Sequence, residues 1–293
     1  GTLIVNKKKV TLSIAVVGDV YYGDNPPENF TFNYSGLVNG DQISDTAYTD
    51  YYYKGNAGSY NIYVTEKAHT NYYVDNIASP KGTFTVKKKP ITVIIYNQYI
   101  DYGDSIPTFT YSQGDLVSGD SNLTHIVETD YVLGESDCGK YSITPVDGQN
   151  NFTNYDVTYV NGTLTVYQKT VELTINDENI EYGDAINDFS FSYDGVVFNQ
   201  ESLFDQEYQY VTTNYNQFDD IGTYPLYFDY GYENPPEYTN YFVNRRVGML
   251  TVSPRKLKIT PNDIEIEYGM PKPTEITFNF ENVVNDDILT ATG

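Results

Sequence analysis

Apolar and polar residues alternate in short runs along most of this chain. Val10, Leu12 and Ile14 share one side of an extended segment, and Ile91/Val93/Ile95 and Val171/Leu173/Ile175 repeat the arrangement. Period two with one apolar face is the signature of a strand with one buried side. A second run alternates at Phe32/Tyr34, Phe109/Tyr111, Phe191/Tyr193 and Phe278/Phe280. A third does so at Phe84/Val86, Leu164/Val166 and Leu250/Val252. Clusters of Gly, Pro, Asn and Asp separate the runs, and no stretch carries a helical period with caps. Six or seven short strands per unit predict an all-β fold, a tandem array of small sandwiches resembling the immunoglobulin fold. A β-grasp-like unit is the alternative, and the missing helix counts against it.

Tyr-Gly pairs punctuate these runs: "YYGDNPP" (Tyr21–Pro27), "DYGDSIP" (Asp101–Pro107), "EYGDAIN" (Glu181–Asn187) and "EYGMPKP" (Glu267–Pro273). The pairs start at Tyr22, Tyr102, Tyr182 and Tyr268, so their spacings are 80, 80 and 86 residues. A fixed period of this length is a structural unit copied in tandem. The boundaries place the last strand of a preceding repeat at 1–6, repeats at 7–86, 87–166 and 167–252, and a partial repeat at 253–293. The chain therefore reads as a piece of a longer protein. Gly23, Gly103, Gly183 and Gly269 are predicted at positive φ, where a side chain is opposed. Each preceding tyrosine is expected to pack over the end of its core. Pro26, Pro107 and Pro271 keep the strand from extending. In "GTFTVKKKPITVII" about four residues join consecutive strands, and no flexible Gly/Ser tract intervenes. Short joints predict a semi-rigid rod. At roughly 3.3 Å per strand residue, a unit is about 30–40 Å long and three project on the order of 100 Å.

Composition narrows the functions. The formal net charge of −23 argues against nucleic acid and anionic membrane surfaces, and favours a monomer that repels its own copies. Hydrophobic content of 40% and aromatic content of 16% are too high for a disordered acidic segment. Tyrosine dominates, with 32 Tyr and no Trp, which suits half-buried strands with wet hydroxyls. No stretch approaches the apolar length of a membrane-spanning helix. Cys138 is the single cysteine, so no disulfide forms within the segment.

The order of basic junction, "YGD" with proline, "GLVNGD", "GTY", "NY" and "NGTLTV" resembles the MBG domain, YGX type, which occurs in tandem in large bacterial surface proteins and adhesins. The resemblance covers essentially the whole chain. It implies an extracellular, repeated β-domain on a bacterial cell surface or cell wall, and it carries no catalytic centre. Two departures stand out. The third repeat has "GVVFNQ" for "GLVNGD", and the fourth has Met270 where the others have Asp.

Candidate sites each have a plainer reading. Asp101, Asp104, Glu181 and Asp184 flank Tyr-Gly turns, with Asp19 and Asp24 near the first, and oxygen-rich loops of this kind can hold Ca²⁺. Alternatively the aspartates cap the turns. No other cofactor is expected. Lys7–Lys9 and Lys87–Lys89 are either a docking patch for an acidic partner or protection of strand edges. Lys89 and Asn154 are the pair an isopeptide crosslink would need. His69 and His125 occupy different repeat positions and read as surface or loop residues. Cys138 lies near carboxylates, which disfavours a reactive thiolate. Tyr51, Tyr52, Tyr53, Tyr232 and Tyr238 lie in tyrosine-rich loops, a candidate surface for a glycan or a host or bacterial protein. The alternative is that these rings cover a sheet or a neighbouring unit. "NFT", "NYS", "NLT" and "NGT" fit the glycosylation pattern, as chance allows in an Asn-rich chain. The function expected is a non-catalytic stalk or spacer of a surface adhesin. The alternative is a binding module, and a glycosidase with paired carboxylates ranks last because the acids are scattered.

Overall fold

A computed structural model describes residues 1–65, 67–75, 77–186, 188–231 and 235–289. Among them the protein is all-β. The first repeat contains β1 (Lys8–Val16), β2 (Val20–Tyr21), β3 (Phe30–Ser35), β4 (Thr46–Thr49), β5 (Gly58–Thr65), β6 (Tyr72–Val74) and β7 (Gly82–Lys87). They form two sheets, ordered β3-β1-β6 and β2-β7-β5-β4. β1 is antiparallel to β3 but parallel to β6, and β2 is parallel to β7. The alternation read from sequence sets the faces: Val10, Leu12 and Ile14 are buried on β1, and the residues between them are exposed. Leu12 and Ile14 meet Ile62 and Val64 of β5, with Phe32, Tyr34 and Phe84 packed around them. This core lies between the sheets, so the unit is a two-layer sandwich. Full burial of each such aliphatic side chain contributes about 1.5–3 kcal/mol.

The second repeat contains β8 (Lys89–Ile95), β9 (Gln98–Asp101), β10 (Tyr111–Gln113), β11 (Val127–Thr129), β12 (Gly139–Pro145), β13 (Tyr155–Val160) and β14 (Gly162–Tyr167). Its first sheet is ordered β10-β8-β13, again with the parallel pair β8/β13. One expectation fails here. Tyr34 faces Leu12 in the first repeat, but Tyr111 faces Ile95 and Gln113 faces Val93. Tyr111 therefore stands where Phe32 stands, and Gln113 takes the place of Tyr34. A two-residue slip keeps every side chain on its face, so period-two alternation is blind to it.

The third repeat contains β15 (Lys169–Ile175), β16 (Glu178–Glu181), β17 (Phe191–Asp194), β18 (Val211–Thr213), β19 (Gly222–Phe228), β20 (Tyr241–Arg246) and β21 (Gly248–Ser253). Its sheets are β17-β15-β20 and β16-β21-β19-β18. A 3₁₀ helix, Glu201–Tyr210, precedes β18; the sequence reading had no helix there. Its Phe204 is fully buried and takes up part of this repeat's extra length. The fourth segment supplies one hairpin pair, β22 (Lys258–Pro261) and β23 (Phe278–Glu281).

Every sheet draws its strands from one repeat. The joints are tighter than expected: Lys88 alone separates β7 from β8, and Gln168 alone separates β14 from β15. Compactness does not follow the period, however. Residues 1–98, 107–131 and 140–165 form one unit. Tyr99–Ile106 and Val132–Gly139 group with residues 166–293 in the other. The second Tyr-Gly turn thus belongs with the repeat that follows it.

Candidate functional site: the joint between repeats

Each Tyr-Gly turn is built the same way. Gly23, Gly103, Gly183 and Gly269 have φ of 90°, 87°, 86° and 96°, as expected from sequence. In the first three the tyrosine N–H donates to the last residue of its repeat's closing strand: Tyr22 to Lys87 O, Tyr102 to Tyr167 O and Tyr182 to Ser253 O, at 2.8–2.9 Å. The aspartate after the glycine folds back. Asp24 Oδ2 accepts from the Tyr21 N–H at 2.8 Å, Asp184 Oδ2 from Glu181 at 3.2 Å and Asp104 Oδ2 from Asp101 at 3.4 Å. Its other oxygen meets a cation in two joints, Lys169 to Asp104 and Arg255 to Asp184. Of the calcium candidates, Asp104 and Asp184 are therefore engaged as turn caps and ion-pair partners, whereas Asp101 and Glu181 take part through their backbone N–H. No group of three or more His, Cys, Asp or Glu side chains is arranged for a metal among the described residues. In the fourth turn Met270 N–H still donates to Glu267 O, so the turn persists without the cap.

Tyr51 is a structural prop. It is 3% exposed, stacks edge-on against Tyr60, and its hydroxyl donates to Asp24 O at 3.0 Å. Tyr215 holds Asp184 O in the third repeat. Burial removes Tyr51 from the candidate binding surface, whereas Tyr52 is 67% exposed and Tyr53 is also exposed. Tyr232 lies outside the described residues.

The turn fits the next repeat. A Cβ on Gly23 would overlap the Val117 Cγ2 methyl, and one on Gly103 would lie 2.8 Å from Val197 Cγ2. Tyr22 joins the core of the second repeat, with Ile91, Val117 and Tyr155. Its ring meets Tyr155 edge-on at 5.5 Å between centroids. Behind Val117 lies a small polar device. The Val117 N–H donates to the Tyr155 hydroxyl at 2.9 Å, and that hydroxyl donates to Asp120 Oδ2 at 2.6 Å. Tyr22 from the preceding repeat donates to the same oxygen at 2.9 Å. Lys54, also from the preceding repeat, meets Asp120 Oδ1 at 2.8 Å and Ser118 O at 2.9 Å. These donors hold the Asp120 carboxyl below its usual range, with Lys54 first and Tyr155 second. Burial and then the Asp120 hydrogen bond push Tyr22 and Tyr155 up to about 12, so both stay protonated donors. "LVSGD" is thus the socket for the turn of the repeat before it.

The second joint repeats the geometry with different chemistry. Tyr102 lies edge-on to Tyr241 and Phe198, at 5.5 Å from each. Tyr241 accepts from Val197 N–H at 3.3 Å and donates to Gln200 Oε1 at 2.6 Å. Gln200 replaces the aspartate, and Gly134 stands where the first joint has Lys54. Phe198, at φ 58°, fills the space with its ring against Gly134. In the third joint Val284 takes the Val117 role beneath Gly183, with Asp287 N–H closing the loop onto Val284 O.

The asparagine of the "NY" pair is a clamp in the second and third repeats. Asn154 Oδ1 accepts from the Ala57 N–H at 2.9 Å while its Nδ2 donates to Asn56. That engagement corrects the isopeptide reading: Lys89 meets Asn154 through the backbone, N–H to O at 2.9 Å. Asn240 does the same to Cys138 N–H at 2.7 Å and Asp137 at 2.8 Å. Cys138 is therefore a joint residue, and burial pushes its thiol pKa up. The lysine clusters bind local acids and carbonyls, as in Lys9 with Asp75, Lys87 with Asp19 and Lys88 with Phe152 O.

Among the described residues, the buried polar side chains are Asp45, His125 and Glu207, which fall in the first, second and third repeats. Asp45 accepts from Tyr34 and pairs with His69; His125 contacts Tyr159 and Gln113. Both histidines lie in loops, as expected from sequence, but their side chains are turned inward rather than to the surface. Glu207 is held by Arg245, Tyr230 and Tyr238. Tyr238 also borders a cleft of about 840 Å³ with Pro235, Pro236, Phe242 and Arg245. The sockets had a signal in the sequence: each of the first three "YG" pairs has a matching "LV" or "VV" loop in the next repeat.

No curated protein and no solved structure matches the chain. Residues 91–165, nearly the whole second repeat, match the family model of the MBG domain (YGX type), the family its motifs resemble.

Proposed function

We propose that this segment is a non-catalytic, semi-rigid spacer in an extracellular bacterial surface protein, carrying an adhesive part of that protein away from the cell. The observation that carries the reading is the turn-in-socket joint, which recurs three times with as little as one residue between consecutive strands. Seating a tyrosine of one repeat in the core of the next removes the freedom a linker would leave. Asp104 and Asp184 are taken up by their turns and by Lys169 and Arg255, so titration with Ca²⁺ after EDTA treatment is expected to give no binding heat. Small-angle scattering tests the spacer role. The chain is expected to scatter as a stiff rod, and Asp120→Ala with Tyr22→Ala is expected to broaden its distance distribution. An unchanged distribution would count against the joint as the source of stiffness.

A second reading is favoured by one observation. The cleft beside Pro235, Pro236, Tyr238 and exposed Phe242 occurs in the one repeat that also carries the 3₁₀ helix. Glycan-array binding by the chain, lost in Phe242→Ala, would make the third repeat a binding module.

A further inference from the structure

We infer that Val38, Asp41, Asn71 and Tyr72 of the first repeat form an open socket, and that its occupant is a Tyr-Gly turn carried beside a lysine, of the kind the first repeat presents to the second. The inference rests on the joint reading above and extends it to a surface and a partner.

The socket's parts are already assembled. Val38 N–H donates to the Tyr72 hydroxyl at 3.2 Å, and that hydroxyl donates to Asp41 Oδ2 at 2.6 Å. This is the Val117–Tyr155–Asp120 relay with the same donors and acceptors. The loop closes identically, Asp41 N–H to Val38 O at 3.0 Å against Asp120 N–H to Val117 O at 2.9 Å. Lys8 N–H donates to Asn71 O as Lys89 N–H donates to Asn154 O, which puts Asn71 in the clamp position.

What differs is cover. Val38 is 38% exposed, whereas Val117 beneath its docked turn is 6% exposed. Asp41 and Asn71 are exposed too, and a cavity of about 390 Å³ lined by Asp41, Asn71 and Tyr72 opens beside them. An apolar valine backed by an acid and an amide matches the Tyr-Gly turn seated elsewhere in this chain.

Charge selects the partner. The aspartate socket at Asp120 meets Lys54, the glutamine socket at Gln200 meets Gly134, and the aspartate socket at Asp287 meets a turn with Phe218 in the lysine's place. The lysine-bearing turn is the one of these three that would pair the Asp41 carboxylate across the contact. A turn of the second-repeat kind would leave the carboxylate facing no cation across a partly dry contact, which is unfavourable.

The test duplicates residues 7–87 between Asn6 and Lys7 of the full chain, so that Lys7 takes the one-residue joint position of Lys88. Amide hydrogen exchange is read at Val38 of the original first repeat. We expect at least about ten-fold slower exchange than in the unextended chain, a gain of about 1.4 kcal/mol in protection. Tyr22→Ala in the added copy should abolish the gain, and Lys54→Ala there should reduce it. An extended chain whose Val38 keeps its original rate overturns the inference. Equal protection from an added copy of residues 87–167, which carries Gly134, overturns the lysine requirement. The Val117 amide in the same samples reports the existing joint. If it too exchanges freely, the spacer reading fails; if it is protected and Val38 is not, only the open socket fails.

Discussion

Replacing Gly23 by alanine isolates the contact on which the joint depends. Two costs are combined in that substitution. Gly23 sits at φ 90°, where an L side chain costs about 1–2 kcal/mol. The new Cβ would also collide with Val117 of the next repeat. Overpacking of this kind adds about 1–3 kcal/mol. The sum is about 2–5 kcal/mol. Gly18 separates the two costs: its φ is 89° and nothing lies within 4 Å of an added Cβ. Gly18→Ala should therefore cost only the backbone share, about 1–2 kcal/mol. Val117→Ala removes two buried methyls, worth about 1.6 kcal/mol at about 0.8 each. It also removes the obstacle. In that background Gly23→Ala should fall to the Gly18→Ala value, a coupling of about 1–3 kcal/mol between residues of different repeats. Urea unfolding followed by circular dichroism, with exchange at Val117 as the local readout, measures all four states of the cycle. Equal costs for Gly18→Ala and Gly23→Ala, or no coupling to Val117, would refute the docking of the turn.

Other outcomes follow from the buried polar groups and the clamps. Burial holds His125 below its ordinary pKa, so the unfolded chain binds its proton more tightly. Stability is then complete above about pH 6.5 and is lost as pH falls below it; His125→Gln should flatten that slope in urea midpoints taken between about pH 5 and 7. Arg245→Met strands Glu207, whose side chain is 0% exposed, and is expected to cost about 3–5 kcal/mol in the same assay, with Glu207→Gln restoring part of it. Asn240→Ala removes the acceptor for Cys138 N–H and the donor to Asp137. It should cost about 1–3 kcal/mol and speed labelling of the Cys138 thiol by a disulfide reagent. An unchanged labelling rate would mean that Asn240 does not hold that loop.

Much of the fold was legible in one sequence, because strand faces and turn backbones are local properties. Alternation named the buried residues of β1, β8 and β15, and the positive-φ glycines followed from the Tyr-Gly-Asp context. The site was legible only in part. The turn was expected to cap its own repeat; Tyr182 does pack on its own core, whereas Tyr22 and Tyr102 seat in the repeat that follows. Tyr51 and its neighbours Tyr52 and Tyr53 are indistinguishable by composition, yet one is a buried prop and the others face water. The histidines are loop residues, as read, but their burial was not legible because their partners, Asp45 for His69 and Gln113 and Tyr159 for His125, are 12 to 34 positions away.

The sequence by itself determined the period, the all-β class, the faces of the strands and the backbone sign at each Tyr-Gly turn. These depend on residues within a few positions of one another, and a repeat prints them several times. Only the tertiary structure decided what the turns are for. Tyr22 and Asp120 are 98 positions apart, and they meet because parallel and antiparallel pairing bring the end of one sandwich onto the loop of another. Side-chain packing across such separations leaves no periodic trace. What it left instead was the lysine and the aspartate of the first joint, Lys54 and Asp120, whose meaning appears once the two residues are seen to touch.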